Sequence, residues 1–171
     1  CSKLNEIENK IKKLISKYSI PDVFVNCSYP KSKDWAKNSY KEIKLNSFRK
    51  NIEIHLNSYT WISKIIADQM VTAKVKGSII LNSSIYGLKA QDLNMYEGTN
   101  IEENMTYPII KSGIIHHTKQ MASYYGKYGI RINAVCPGGI KGSISGKNVK
   151  QDNKFIRRYI KKTPLKRMAI P

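Results

Sequence analysis

Apolar residues fall along this chain in alternating rhythms. Residues 5–18 carry Ile7, Ile11, Leu14 and Ile15 at helical spacing with polar residues between them, which predicts an amphipathic helix. Ile20-Pro21-Asp22 breaks that pattern, and Val23-Phe24-Val25 reads as a short buried strand. Residues 28–44 are polar, contain Pro30, and predict a loop with room for one short helix. The helical period returns over 47–74, with Ile54, Tyr59, Ile62, Ile65, Ile66 and Met70 as its apolar positions. After Gly77, Ser78-Ile79-Ile80-Leu81 predicts a second strand, followed by a loop to about Asn104 and a helix over 106–126. Ile130-Arg131-Ile132-Asn133-Ala134-Val135 predicts a third strand, stopped by Pro137-Gly138-Gly139, and residues 151–163 predict a basic helix.

Short continuous apolar strands alternating with helices mean βαβ units and a parallel sheet with helices on both faces, a three-layer α/β domain. At 171 residues the chain suits one domain. Open sheets of this kind bind ligands at the carboxyl ends of their strands. The informative segments are therefore 26–29, 82–87 and 136–142.

Composition changes this picture little. The net charge is +18, but the 25 lysines far outnumber the 5 arginines, are spread along the whole chain and run no longer than pairs such as Lys12-Lys13 and Lys161-Lys162. A nucleic-acid module usually clusters its cations on one face with stacking aromatics. A solvated basic surface is the simpler reading, and no specific nucleic-acid partner is expected. A non-catalytic basic module binding nucleic acid or another polyanion stays as the alternative from a different class. No apolar run reaches the ~20 residues that span a bilayer, and no signal-peptide core follows Cys1-Ser2-Lys3-Leu4. Cys1, Cys27 and Cys136 show neither metal-ligand spacing nor a disulfide framework. The expected setting is a reducing cytoplasm, with no metal site and no membrane contact.

Three Tyr-x-x-x-Lys pairs occur: Tyr29/Lys33, Tyr40/Lys44 and Tyr107/Lys111. With 11 tyrosines and 25 lysines such pairs arise by chance, so context must choose. The first two lie in the polar loop. The third opens a helix, with Thr106 as the expected N-cap and Pro108 in the first turn, and Ser83-Ser84 lies just past a strand end upstream. A tyrosine hydroxyl titrates near pH 10, and a neighbouring Lys cation favours its phenolate. With a Ser hydroxyl beside it, the trio could move a proton to or from a hydroxyl while a nicotinamide moves a hydride.

The segments Gly77-Ser-Ile-Ile-Leu-Asn-Ser-Ser-Ile-Tyr-Gly87, Tyr107-Pro-Ile-Ile-Lys-Ser-Gly113 and Gly129-Ile-Arg-Ile-Asn-Ala-Val-Cys-Pro-Gly-Gly139 resemble three consecutive blocks of the short-chain dehydrogenase/reductase family. Pro21-Asp-Val-Phe-Val-Asn-Cys-Ser-Tyr29 resembles the block that ends the family's fourth strand, usually Asn-Asn-Ala-Gly. Pro164-Leu-Lys-Arg-Met168 and Pro171 resemble the stretch leading into a later helix. The resemblance implies a Rossmann-like fold and an NAD- or NADP-dependent oxidoreductase acting on a small molecule. It makes Ser84 the catalytic serine, Tyr107 the acid/base, and Lys111 the residue that lowers its pKa and binds the nicotinamide ribose. It puts Asn26, Cys27 and Ser28 near the adenine side of the cofactor, and Pro137, Gly138, Gly139 and Ile140 around the nicotinamide. The glycines also suit a turn with positive φ.

The chain departs from the family pattern in three places. Where the family has a catalytic Asn on the long helix, His55 stands, with Asn57 two residues on; roughly 200° separates such positions on a helix, so only one faces the site, and His55 is favoured. Twenty-two residues separate Ser84 from Tyr107, and the added loop, Asp92-Leu-Asn-Met-Tyr-Glu-Gly-Thr99, is expected to overhang the substrate. A similar loop in members tied to flagellin modification and surface-sugar biosynthesis suggests a sugar or sugar-nucleotide. Finally, the Gly-rich turn that meets a pyrophosphate is not in this sequence. The expectation is therefore a truncated domain retaining strands four to six, inactive alone, with an open apolar edge on its first strand. The resemblance further implies a parent homodimer or homotetramer joined through the helices at 47–74 and 104–126.

Overall fold

The structure, a computed structural model, describes residues 4–142 and 151–170. Cys1 and Pro171, singled out above, lie outside the described residues. Three strands form one parallel sheet in the order β1 (Val23–Asn26), β2 (Ser78–Asn82), β3 (Arg131–Val135). Helix α1 (Leu4–Tyr18) precedes β1. A continuous helical run, α2 (Leu45–Asn51), a π-helical segment (Ile52–Asn57) and α3 (Ser58–Thr72), joins β1 to β2. Helix α4 (Thr106–Tyr125) joins β2 to β3, and α5 (Asn153–Lys161) follows. Each predicted element is present, with ends shifted by a residue or two.

The register sets the layers. Phe24, Ile79 and Ile132 are partners across the three strands, and so are Asn26, Leu81 and Ala134. Partners in a sheet point to the same face, and this face meets α1, α3 and α4 in the main core. Ile62, Ile65, Ile66 and Met70 of α3, Ile110, Ile114 and Met121 of α4, and Ile7 of α1 are buried there. On α1 the packed stripe is Ile7, Ile11 and Ile15. Leu14 sits beside the stripe and is 57% exposed. The opposite sheet face carries Val23, Val25 and Val135, all exposed. The described residues thus supply the sheet and one helical layer, and the second layer expected from the pattern is not among them.

A smaller cluster stands beside the strand ends. Met95 from the 88–104 loop, Phe155 and Tyr159 from α5, and Met168 from the tail are buried together. Asp152 caps α5, its Oδ1 accepting from the amides of Lys154 at 2.7 Å and Phe155 at 3.3 Å. Arg158 of α5 donates to the Glu97 carbonyl, and Lys162 pairs with Asp92. The long loop is therefore tied to α5. The tail returns to the end of β3, where Ala169 N donates to the Gly139 carbonyl at 2.9 Å and Lys141 N to the Ala169 carbonyl at 2.8 Å.

Candidate active site

The carboxyl ends of the three strands and the first turns of α4 converge on one place. Ser83 and Ser84 follow β2. The amide of Ser83 donates to the Val135 carbonyl at 2.8 Å, and the Ser83 hydroxyl donates to the main-chain carbonyl of Lys111 at 2.7 Å. These bonds pin the loop after β2 to both β3 and α4. Gly87 completes the fit: a Cβ there would stand 2.7 Å from the backbone C and O of Lys111, so no other residue lets the loop approach so closely.

Tyr107 and Lys111 lie one turn apart on α4. The cap of this helix differs from the expected one. Asn104 Oδ1 accepts from the Tyr107 amide at 2.8 Å, whereas Thr106 is fully buried and donates to Asn38 Oδ1 at 2.8 Å. Asn38 in turn donates to Ser47 Oγ of α2 at 3.0 Å. A buried polar network thus fixes the start of α4 against α2.

Ser84 is buried, and its Oγ accepts from the Tyr86 amide at 3.2 Å. Burial pushes the Tyr107 hydroxyl above its ordinary pKa, and the neighbouring Ser84 side chain acts in the opposite direction. The expected lowering by Lys111 does not prevail here. The Lys111 ammonium points elsewhere, donating to the Asn82 carbonyl at 3.0 Å and lying 5.7 Å from the Tyr107 ring centroid. At neutral pH Tyr107 therefore carries its proton.

Lys111 is 2% exposed. Burial lowers its pKa to about 8, and the neighbouring Cys136 partly offsets this. His55 sits in the π-helical segment with 0% exposure. Asn57, the other candidate for that position, is exposed. Neither ring nitrogen of His55 has a hydrogen-bond partner. Burial, and then the Lys111 charge, push its pKa down to about 3, so at neutral pH it is an uncharged imidazole. π-Helical turns inside α-helices are often found at functional sites.

The residues at the ends of β1 and β3 face the same place. Asn26 Oδ1 accepts from the amide and hydroxyl of Ser28 at 3.1 and 2.7 Å, while its buried Nδ2 has no acceptor. Cys27 is exposed and Cys136 half-buried, both as free thiols. Past β3, the carbonyl of Pro137 accepts from the Ile85 amide at 3.1 Å, and Ile140 is exposed. Neither Gly138 nor Gly139 takes a positive φ. Gly139 is required by proximity: its amide donates to the Tyr159 hydroxyl, and a Cβ would stand 2.7 Å from Tyr159 Cζ.

Three aromatic residues that the sequence did not mark as site residues stand at the site: Tyr59, Tyr29 and Trp35. The Tyr59 hydroxyl lies 2.7 Å from the Ser28 carbonyl and 3.1 Å from that of Asn26, bracing the end of β1. Tyr29 and Trp35 stand against Tyr107, with centroids 6.1 and 6.3 Å away. The signal for Tyr29 was its place in the block where the resembled family has Gly.

A family model described as enoyl-(acyl carrier protein) reductase matches residues 1–171. The chain belongs to the short-chain dehydrogenase/reductase family. It is 34% identical over 155 residues to the post-translational flagellin modification protein A of Campylobacter coli, covering 88% of this chain and 56% of that protein. It is 28% identical over 123 residues to the NADH-dependent L-xylulose reductase of Ambrosiozyma monospora, covering 71% and 42%. A short-chain dehydrogenase of Leptospira borgpetersenii, solved with bound NAD+, superposes with a TM-score of 0.82 at 30% identity, over 98% of this chain and 60% of that one. The chain thus spans about half the length of the curated short-chain dehydrogenase/reductase relatives it matches.

Proposed function

We propose that this chain forms the catalytic portion of a nicotinamide-dependent oxidoreductase that interconverts a hydroxyl and a carbonyl on a sugar-like small molecule. The observation that carries the reading is the convergence of the buried Ser84, the Tyr107 hydroxyl and the buried cation Lys111 at the carboxyl ends of the strands. In the reducing direction the Tyr107 hydroxyl gives its proton to the substrate oxygen as that oxygen becomes a hydroxyl. Ser84 Oγ holds the same oxygen, and Lys111 stabilises the phenolate left behind. His55 occupies the fourth position of the site as a neutral ring.

The residues present fit such a cofactor, Asn26, Cys27 and Ser28 toward its adenine side and the 137–140 turn toward its nicotinamide. Asn26 offers a buried donor without an acceptor, and the Pro137-Gly138-Gly139-Ile140 turn carries no side chain at its two glycines. Asn26, Cys27, Ser28, Tyr107, Lys111 and the 137–140 turn would hold it; when bound, it supplies or takes the hydride. NAD and NADP are equally compatible with these groups. The names of the flagellin-modifying and xylulose-reducing relatives support the sugar-like substrate. The exposed Trp61 of α3 and Ile109 and Tyr124 of α4 support assembly through these helices. The 171 residues contain no Gly-rich pyrophosphate turn, so this chain alone is expected to show no nicotinamide binding at micromolar concentration.

The test uses the protein that carries this chain, with NADH or NADPH oxidation followed over a panel of ketoses. Tyr107→Phe should lower kcat by about 10²–10⁴-fold, the usual worth of a positioned acid. A Tyr107→Phe protein as active as the wild type would overturn the proposal.

A further inference from the structure

We propose that Tyr29 is a positioning residue of this site, its ring being the cover that keeps water from the Lys111 ammonium and the His55 imidazole. The ring stands where four other site groups meet. Its centroid lies 5.2 Å from that of His55, 6.1 Å from Tyr107 and 6.0 Å from Trp35, each edge-on. Lys111 Nζ lies 5.7 Å from the same centroid. Two further rings surround that ammonium, Tyr59 at 5.5 Å and Tyr107 at 5.7 Å.

Of the three rings Tyr29 alone is exposed, at 42%, while the lysine and histidine beneath it are 2% and 0% exposed. It therefore separates those two groups from solvent. Its place is fixed by the buried Trp35, which touches both Tyr29 and Tyr107. An ammonium has three donors, and that of Lys111 has one hydrogen bond, to the Asn82 carbonyl. The groups around it are the three tyrosines, His55 and Cys136, none of them a carboxylate. Dryness is then what sets its proton affinity, because burial disfavours the charged form. A cation kept dry is also attracted more strongly to the phenolate it is meant to stabilise.

The inference rests on the reading in which Lys111 is the cation of the site, but its test needs neither nicotinamide nor substrate. The 171-residue chain is labelled at lysine Cε with carbon-13 and titrated by NMR; Lys111→Arg identifies the resonance. In the wild type Lys111 should titrate near 8, far below the ordinary 10.5. Tyr29→Phe keeps the ring and should leave that value in place. Tyr29→Ala admits water and should raise it by about one unit or more. If Tyr29→Ala does not fold, Tyr29→Leu takes its place, with a smaller rise expected and the same readings deciding. An unmoved Lys111 in the truncated variant overturns the proposal. So does a Tyr29→Phe shift as large as that of Tyr29→Ala, or a wild-type Lys111 titrating at the ordinary value. Shifts as expected in a protein without reductase activity would leave the cover standing and overturn only the proposed function.

Discussion

His55 and Lys111 are buried ionisable groups, and neither forms an ion pair among the described residues. Each makes stability depend on pH with a definite sign. The folded pKa of His55, about 3, lies below its ordinary 6.5. Between those values the unfolded chain binds a proton that the folded chain refuses, so stability falls as the pH falls below about 6.5. The slope is about 1.4 kcal/mol per pH unit once the unfolded histidine is fully charged. Lys111 has the same sign higher up: stability rises with pH between about 8 and 10.5. His55→Leu should reduce the acid slope, to which the partly buried His117 also contributes, and should raise the urea midpoint at pH 7 by deleting two unpartnered nitrogens. Urea unfolding of both proteins at pH 7, 6 and 5 checks this, and parallel losses in the two would refute it. The neighbourhood of Tyr107 and Lys111 was legible because a helical repeat of four brings side chains together, and that of Ser84 because it follows a strand end, whereas His55 was singled out only by the family resemblance. Tyr29 was not legible, because its ring reaches Lys111 through a loop whose path no periodicity specifies.

At the scale of elements, apolar rhythm located every strand and long helix, since burial on one face is what both the rhythm and the packing express. It could not show the π-helical segment at 52–57, where the periodic apolar residues continue through the changed backbone hydrogen bonding. Nor could it choose the cap of α4. Thr106 looked suitable by type, but the buried Asn38 engages its hydroxyl, and Asn104 takes the role with Oδ1 on the Tyr107 amide. The side-chain amide of Asn104 also donates to the Trp35 carbonyl at 3.2 Å. Asn104 therefore ties the helix start to the loop that braces Tyr29. Asn104→Ala should cost about 1 kcal/mol, the typical worth of an N-cap. It should also speed hydrogen exchange at the Tyr107 amide. Denaturant unfolding and exchange of that amide measure the two effects, and an unchanged exchange rate would show that the cap lies elsewhere.

At the scale of the whole molecule, one sheet face is packed among the described residues and the other is not. Val25 is 50% exposed, and its register partners Ile80 and Asn133 share that open face. Beyond β1, no further strand pairs with the sheet among the described residues. An unpaired edge with exposed valines is a template for another strand, so the chain has a route to self-association. Its net charge of +18 opposes that route by repulsion between copies. Repulsion acts over about 30 Å in 0.01 M salt and only about 8 Å at 0.15 M, whereas burial of apolar surface is not screened. The chain should therefore sediment as a monomer in 0.01 M salt and associate as salt rises to 0.3 M. Val25→Lys places a charge on the open face beside the edge, a common natural guard against strand addition, and should keep the chain monomeric at both concentrations. Sedimentation velocity of the two proteins separates the possibilities: association of Val25→Lys equal to that of the wild type would place the contact on another surface, such as the outer sides of α3 and α4.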